Sequence, residues 1–178
     1  MTLNAVAVES FTRGRLDRDD EETQRQLDAA LAAARRYCGW HVTPVISDDE
    51  ITLDGPNSQI LILPTLNMTE LTEVDEDGEE LNLTDLNWSA RGLIAKRSGY
   101  GWTPMFGAIT VIFSHGYADA PDFESVILSA IERGAFSPEV APRVVGPFQY
   151  SDAPNTAGEL FTNSERAVLD RYALEKRP

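Results

Sequence analysis

Nucleophilic catalysis needs a base beside the nucleophile, and only two histidines, His41 and His115, are present to act as that base. Ser114 precedes His115 at the end of an apolar run typical of a strand, in which successive side chains point to opposite faces. The hydroxyl and the imidazole are therefore not expected to pair. We expect each histidine to hydrogen-bond a nearby carbonyl oxygen at the end of an element. A hydrolase that uses His115 with acidic partners is the last of three alternatives.

The other reactive groups are also predicted to be structural. Cys38, the single cysteine, ends the apolar stripe of a predicted helix just before Gly39, so we expect a buried thiol and no disulfide within the chain. The acidic stretch from Glu70 to Glu80 lacks the fixed glycine and the terminal glutamate of an EF-hand loop. Gly99 and Gly101 are too closely spaced for a phosphate-binding loop. We predict no catalytic residue, no cofactor and no metal site.

The charge balance argues against a surface that grips nucleic acid. The chain carries 29 Asp and Glu against 15 Lys and Arg, a net charge of -14, and DNA binding depends on basic side chains that displace counterions. No apolar run has the ~20 residues of a membrane span, and the start does not resemble an export signal. We therefore expect a soluble protein made in a reducing cytoplasm.

Helical periodicity marks both ends of the chain. A helix is predicted from Asp19 to Cys38, with acids in its first turn, arginines in its last and Gly39 as its cap. A second is predicted from Pro121 to near Gly134. A short helix at 6–12 ends at the Arg13-Gly14 pair. A last helix begins with the capping box Thr162 to Glu165 and continues to Leu174.

Between the helices the pattern is that of antiparallel β structure. Turn signals at Asp54-Gly55-Pro56-Asn57 and Asp77-Gly78 separate short runs of Ile, Val, Leu and Thr, and the last run is apolar on both faces, as in a central strand. About six strands are expected. The runs are Ile51–Leu53, Gln59–Leu63, Leu71–Val74, Leu81–Leu83, Asn87–Ser89, Gly92–Ile94 and Ala108–Phe113.

The order of these elements predicts an α+β fold. A small bundle of three or four helices holds an inserted antiparallel β-rich subdomain, followed by an extended C-terminal arm and helix. The predicted boundaries are 1–45 for the N-terminal helical part, 46–118 for the β-rich insert, 119–137 for a core helix that packs on the N-terminal helices, and 138–178 for the arm and last helix. Within the arm, residues from Pro138 to Gly158 are irregular, with an extended piece at Gly146–Tyr150.

Seven segments, taken in order, resemble one family over nearly the whole chain. The chain is similar to head-to-tail adaptor (connector) proteins of long-tailed bacteriophages, in particular those of actinobacterial hosts. No single segment encodes chemistry, and the resemblance depends on their order and spacing. The segments are Ala33–Val42, Leu61–Thr65, Glu76–Glu79, Val111–Tyr117 with Ala120-Pro121, Val145–Phe148, Leu160–Thr162 and Glu165–Tyr172.

The resemblance implies a structural, non-enzymatic subunit of a dodecameric ring beneath the portal of a virion. Such a ring extends the DNA channel and offers a docking site to the next head-completion (stopper), neck or tail protein. Its implied partners are copies of itself, the portal protein and that downstream protein. DNA passes through without sequence-specific binding, and no membrane is involved.

The resemblance also assigns roles to residues of the helices and of the C-terminal segment. The helices of such adaptors form the ring body, and their C-terminal segment reaches the portal. The ring-body candidates are Leu27, Leu31, Ala34, Cys38, Phe123, Val126, Ile127 and Ile131. The portal-docking candidates are Phe148, Tyr150, Phe161, Arg166, Leu169, Arg171, Tyr172 and Leu174. The alternative is a β-rich virion module that binds a glycan or peptide through Tyr100, Trp102 and Trp88.

Overall fold

The computed structural model describes residues 3–136, the backbone of 144–145 and 148–149, and residues 160–174. The described residues form two compact units. The described residues among positions 3–37 and 121–171 make the helical unit, and those among positions 38–120 and 172–174 make the β unit. The predicted α+β class, a helical part with an inserted antiparallel β-rich region, is confirmed. None of the described helices has the length and hydropathy to span a membrane.

The first two helices form where the sequence predicts them. Helix α1 spans Ala5–Phe11, and the side chain of Asn4 caps it by accepting a hydrogen bond from the backbone N–H of Ala7 at 2.9 Å. Helix α2 spans Glu21–Cys38 and ends at Gly39, whose φ of 81° suits a left-handed cap. Its buried stripe repeats at helical spacing and consists of Thr23, Leu27, Ala30, Ala34 and Cys38.

Helix α3 spans Pro121–Phe136, two residues beyond the predicted end at Gly134. The extra residues are held by Arg15, which pairs with Glu132 and whose guanidinium lies 4.2 Å from the ring centre of Phe136. That contact stabilises the last turn across a glycine that by itself favours an end. The predicted apolar stripe is buried, and it consists of Phe123, Val126, Ile127, Ala130 and Ile131.

Helix α4 spans Asn163–Leu169 and is shorter than predicted. Its capping box is confirmed, because the Thr162 hydroxyl accepts from the Glu165 N–H at 3.3 Å and the Glu165 carboxylate accepts from the Thr162 N–H at 2.7 Å. The predicted continuation to Leu174 is wrong. The backbone N–H of Leu174 donates instead to the carbonyl oxygen of Cys38 at 2.8 Å, which places the end of the described chain in the β unit.

The β unit contains a four-stranded and a three-stranded sheet, both antiparallel. The four-stranded sheet has the order β1-β7-β3-β4, with β1 at Ile46–Leu53, β3 at Met68–Glu76, β4 at Glu79–Glu80 and β7 at Ile109–His115. The three-stranded sheet has the order β2-β6-β5, with β2 at Ile60–Ile62, β5 at Leu86–Ser89 and β6 at Leu93–Lys96. Strand β7 pairs on both sides and is therefore central, as predicted.

Two strand predictions need correction. Leu81–Leu83 is not a strand: pairing ends at Glu80, and Leu83–Asp85 form a 3-10 turn, because the side chain of Asn82 accepts from the backbone N–H of Thr84 at 3.0 Å. Strand β1 begins at Ile46 rather than Ile51. Its first half is polar and contains a bulge, so it lacks the apolar alternation by which a strand is predicted. The hairpin at Asp77-Gly78 is confirmed, with φ of 56° and 84° at its two turn residues.

Both sheets contribute their inward side chains to one core. The core includes Trp102, which lies in the loop after β6 and is 2% exposed. The Nζ atom of Lys96 lies 2.5 Å from a Glu76 carboxylate oxygen and 4.7 Å from the Trp102 ring centre. The Glu76 carboxylate also accepts from the backbone N–H of Thr103 at 2.8 Å. A charged pair from the two sheets thus closes one side of the core.

The predicted arm lies mostly outside the described residues. Within it, strands β8 at Val144–Val145 and β9 at Phe148–Gln149 pair as an antiparallel ribbon. Tyr150 and the side chain of Phe148 are among the positions outside the description.

Candidate interaction surfaces

Ser114 and His115, the candidate nucleophilic pair, contact different partners. The Ser114 hydroxyl accepts from the backbone N–H of Asp48 at 3.2 Å, and His115 Nε2 lies 3.1 Å from a carboxylate oxygen of Asp49. The predicted carbonyl partner is confirmed for His41, whose Nε2 lies 2.6 Å from the Pro44 oxygen. It is wrong for His115, because the bulge in β1 between Ile46 and Asp49 changes the register beside β7 and sets a carboxylate within reach of the imidazole.

The thiol and the acidic stretch have ordinary structural surroundings. Cys38 is 1% exposed, so its predicted burial is confirmed. The acids from Glu70 to Glu80 are spread along β3 and β4. Across the described residues no group of three or more His, Cys, Asp or Glu side chains is arranged to hold a metal ion. The β unit also presents the outward faces of its two sheets to solvent.

The four-stranded sheet presents an acidic outward face. Glu50 on β1 and Glu73 on β3 both lie opposite Ile112 on β7, and directly opposed residues of paired strands share a face. The next row along the sheet joins Thr52, Thr110 and Asp75. We call these six residues the acidic face. Among the ion pairs of the described chain, none joins a Lys or Arg to its three carboxylates.

The three-stranded sheet presents an apolar outward face. Leu61 and Ile94 point into the core, so their neighbours on the strands point outward, with Ile60 47%, Ile62 44% and Leu93 38% exposed. Ile62 lies directly opposite Leu93. Three neighbouring aliphatic side chains are thereby left at the surface of a small sheet.

The loop after β6 adds an aromatic side chain next to this face. Tyr100 is 77% exposed, and the loop that carries it is anchored to the segment before β2. The backbone N–H of Trp102 donates to the Ser58 oxygen at 2.8 Å, and the Gln59 side chain donates to the Gly99 oxygen at 3.1 Å. Phe106 is 89% exposed but lies at the far end of this loop, where the N–H of the following Gly107 donates to Asp54.

The basic residues of the β unit cluster on the same sheet. Arg91, Lys96 and Arg97 are its three Lys and Arg residues among positions 38–120 and 172–174. Lys96 is paired with Glu76, whereas Arg91 and Arg97 are exposed on either side of Leu93 along the chain. Arg97 continues the outward register of β6 and donates from Nε to the Leu86 oxygen at 3.3 Å. We call Ile60, Ile62, Leu93, Tyr100, Arg91 and Arg97 the basic-apolar patch.

The three aromatic residues of the ligand-binding alternative do not share a surface. Trp102 is a core residue at 2% exposure, and this position contradicts its expected role as a ligand contact. Trp88 is 43% exposed and Tyr100 is 77% exposed. The buried position has a clear reason, since the Trp102 ring packs under the ammonium of Lys96.

In the helical unit, α4 is joined to α3 by a bidentate ion pair. Two nitrogen atoms of Arg133 each lie 2.8 Å from a Glu165 oxygen, and Arg133 also donates to the Leu160 oxygen at 2.7 Å. Partial burial raises the pKa of Glu165, but the hydrogen bonds from Arg133 and Thr162 outweigh it and hold that pKa below its usual value. This ion pair fixes the position of the last helix.

The portal-docking candidates fall in three settings. Phe161 and Leu169 are buried at 6% and 0% exposure within the helical unit, whereas Arg166 is half-buried and Arg171 is exposed. Tyr172 and Leu174 belong to the β unit, where Trp40 Nε1 donates to the backbone carbonyl oxygen of Tyr172 at 2.6 Å. Phe148 and Tyr150 have no described side chains.

The ring-body candidates mostly line helix faces that are covered. Leu31 is half-buried and lies beside the buried stripe of α2. The other seven are buried, namely Leu27, Ala34, Cys38, Phe123, Val126, Ile127 and Ile131. Within one subunit these side chains stabilise the fold.

No family model and no curated protein matches the chain. Solved structures do match it over its whole length. One is a chain in the neck of an empty gene transfer agent (GTA) particle computed with C6 symmetry, with a TM-score of 0.59 and 16% identity over 99% of this chain and 93% of that one. Another is a chain in the virion of a native GTA particle, with a TM-score of 0.54 and 18% identity over 100% of this chain and 97% of that one. The protein therefore has the fold of chains found in the neck and virion of these particles.

Proposed function

We propose that the protein is a structural subunit of the neck of a phage-like particle, a head-to-tail connector and not an enzyme. The observation that carries this proposal is the end-to-end similarity to a chain in a GTA neck, which covers 99% of this chain and 93% of that one. Both units of the fold are included in such a match. The resemblance of seven sequence segments to phage adaptors supports the same role independently.

The connector forms a dodecameric ring beneath the portal, within the virion neck. The symmetry of the similar particle supports a ring, because its neck was computed with C6 symmetry and a ring of twelve subunits contains a sixfold axis. The ring extends the DNA channel and presents a docking site for the next neck, stopper or tail protein. The subunits are made in the host cytoplasm and join the particle there.

The charge of the chain suits a channel through which DNA moves. A net charge of -14 disfavours the counterion-releasing contacts that would hold a duplex in place. DNA then passes without sequence-specific binding. This role needs no catalytic, cofactor or metal site.

The C-terminal segment makes the contact to the portal. Phe161 and Leu169 are buried, so their part is to hold α4 in position on the helical unit. The exposed side chain of Arg171, together with Phe148 and Tyr150, supplies the contacts themselves. Arg166 lies within the same helix, α4.

Electron microscopy of the full chain mixed with its portal protein tests this function. We expect a twelvefold ring on one end of the portal. Arg171→Glu should weaken portal binding about tenfold through lost charge complementarity, whereas Arg25→Glu, at a side chain with similar exposure on α2, should leave it unchanged. A wild-type chain that neither binds the portal nor forms a ring on it would overturn the proposal.

A further inference from the structure

The β unit separates its charges between its two sheets. Its exposed arginines, Arg91 and Arg97, flank the outward face of the three-stranded sheet, and Glu50, Glu73 and Asp75 lie on the outward face of the four-stranded sheet. We propose that the basic-apolar patch of one copy docks on the acidic face of the next copy, head to tail. This inference deepens the proposed ring function and rests on it.

The basic-apolar patch has the composition of a buried interface core. It combines the aliphatic side chains of Ile60 and Leu93, 47% and 38% exposed, with Tyr100 at 77%. Tyr and Arg are enriched where protein surfaces become buried, and clustered aliphatic side chains gain free energy when water is removed from them. A partner that covers this patch therefore gains hydrophobic contact at its centre and charge contact around it.

The acidic face offers the complementary arrangement. Ile112 lies at the centre of one of its two rows, between Glu50 and Glu73, which are two strand spacings apart, roughly 10 Å. Thr52 and Thr110 add short side chains that permit close approach. An apolar centre with acids on either side thus meets an apolar centre with arginines on either side.

The occupant is a second copy because both halves of the contact are on one chain. Two identical faces cannot pair with themselves here, since acidic face on acidic face places like charges opposite each other. The contact joins two different surfaces, so it leaves one of each free on every pair and continues to further copies. Repetition of such a contact closes into a ring when the rotation per step divides the circle.

Sedimentation of the full chain over a concentration series up to about 1 mM tests the docking directly. The wild type should form species larger than a dimer, and added salt should weaken the association. Arg97→Glu on the patch and Glu73→Lys on the acidic face should each raise the dissociation constant at least about tenfold. The double variant Arg97→Glu with Glu73→Lys should recover association, because the charges are exchanged rather than lost.

Matched controls separate docking from general charge effects and from misfolding. Phe106→Asp changes an aromatic residue that is more exposed than Tyr100 but lies outside the patch. Glu79→Lys reverses the charge of an exposed acid outside the acidic face. Both variants should associate like the wild type. Recovery in the double variant shows that the single variants fold. A wild type that is monomeric up to about 1 mM, controls as impaired as the test variants, or a patch that binds another component instead would each overturn the inference.

The same variants distinguish this inference from the connector function. If the wild type, Arg97→Glu and Glu73→Lys all form equal rings on the portal, the connector function stands and the docking between sheets is wrong. If the wild type does not join the portal, the connector function itself fails. If only the two single variants fail to complete the ring, both are supported.

Discussion

Glu165 combines two stabilising roles at the start of α4. It completes the capping box with Thr162 and forms the bidentate pair with Arg133 of α3. These hydrogen bonds favour the charged carboxylate and hold its pKa below the usual value despite partial burial. The stability that Glu165 contributes must therefore depend on pH.

Replacing this carboxylate tests that dependence. Glu165→Gln should lower the free energy of unfolding by about 1–3 kcal/mol at pH 7, since bonds to a charged group are lost. The folded pKa lies below the unfolded pKa of about 4.3, so the contribution is complete above the unfolded value and disappears as pH falls through the folded value.

Urea unfolding of both proteins between neutral pH and about pH 2 measures the effect. Glu80→Gln, at an exposed acid on β4, should leave the free energy of unfolding at pH 7 unchanged. A difference between Glu165→Gln and the wild type that stays constant down to the lowest pH would contradict the assignment.

Lys96 is the second residue whose charge is tied to packing. Its ammonium pairs with Glu76 over the Trp102 ring, and both charged side chains are largely buried, at 17% and 12% exposure. Lys96→Met should cost about 3 kcal/mol, because Glu76 keeps a buried charge with the Thr103 N–H as its remaining described partner. Adding Glu76→Gln should restore part of this loss, since the amide oxygen still accepts from Thr103. Denaturant unfolding of the two single variants and the double variant gives the coupling, and purely additive losses would refute it.

At the scale of elements, the ends of helices and strands could be predicted from sequence where a local interaction causes them. The capping box of Thr162 and the turn at Asp77-Gly78 both act within four residues, and both formed as predicted. Elements decided by distant contacts were not readable. The first half of β1 carries Ser47, Asp48 and Asp49, and it becomes a strand because β7 pairs with it.

The length of helices followed the same rule. The predicted last helix continues to Leu174, yet the Leu174 backbone N–H donates to the carbonyl oxygen of Cys38, more than a hundred residues away in sequence. Gly134 looked like a helix end, and the contact of Arg15 with Phe136 carried α3 past it. Propensity gives way to tertiary contacts at such ends.

Gly134 offers a test of this view of α3. Gly134→Ala should raise the free energy of unfolding by about 0.5–1 kcal/mol, since glycine in a helix interior is unfavourable and an added Cβ would meet nothing within 4 Å. Gly78→Ala provides the contrast: its φ of 84° strains any other residue, so stability should fall by about 1 kcal/mol. Thermal unfolding of both variants measures the two signs. Destabilisation by Gly134→Ala would mean that the helix is not continuous there.

At the scale of the whole molecule, sequence indicated which side chains are apolar but not which of them are covered. Ile60–Leu63 is apolar at consecutive positions, a pattern typical of a strand buried on both faces, whereas Ile60 and Ile62 are exposed. Phe161 and Leu169 were docking candidates because of their type and place, and the fold buries them. Coverage depends on neighbours that only the folded chain brings together.

The net charge makes a prediction for the whole chain. At about 0.15 M salt we expect the dissociation constant for duplex DNA to be higher than about 100 µM, because 29 acidic side chains outnumber the 15 basic ones that could release counterions. Fluorescence anisotropy of a labelled duplex measures it. A variant with Glu50→Lys, Glu73→Lys and Asp75→Lys, which makes the acidic face basic, should gain measurable and salt-sensitive binding. Micromolar binding by the wild type would contradict the picture of a channel through which DNA slides.

The way the chain passes between its two units has a mechanical meaning. It crosses from the helical unit to the β unit at residues 37–38, returns at 120–121 and crosses again at 171–172. After the third crossing, two hydrogen bonds hold the chain in the β unit. Trp40 Nε1 donates to the backbone carbonyl oxygen of Tyr172, and the Leu174 N–H donates to the backbone carbonyl oxygen of Cys38. Pulling this last segment away from the β unit therefore requires both of these bonds to break.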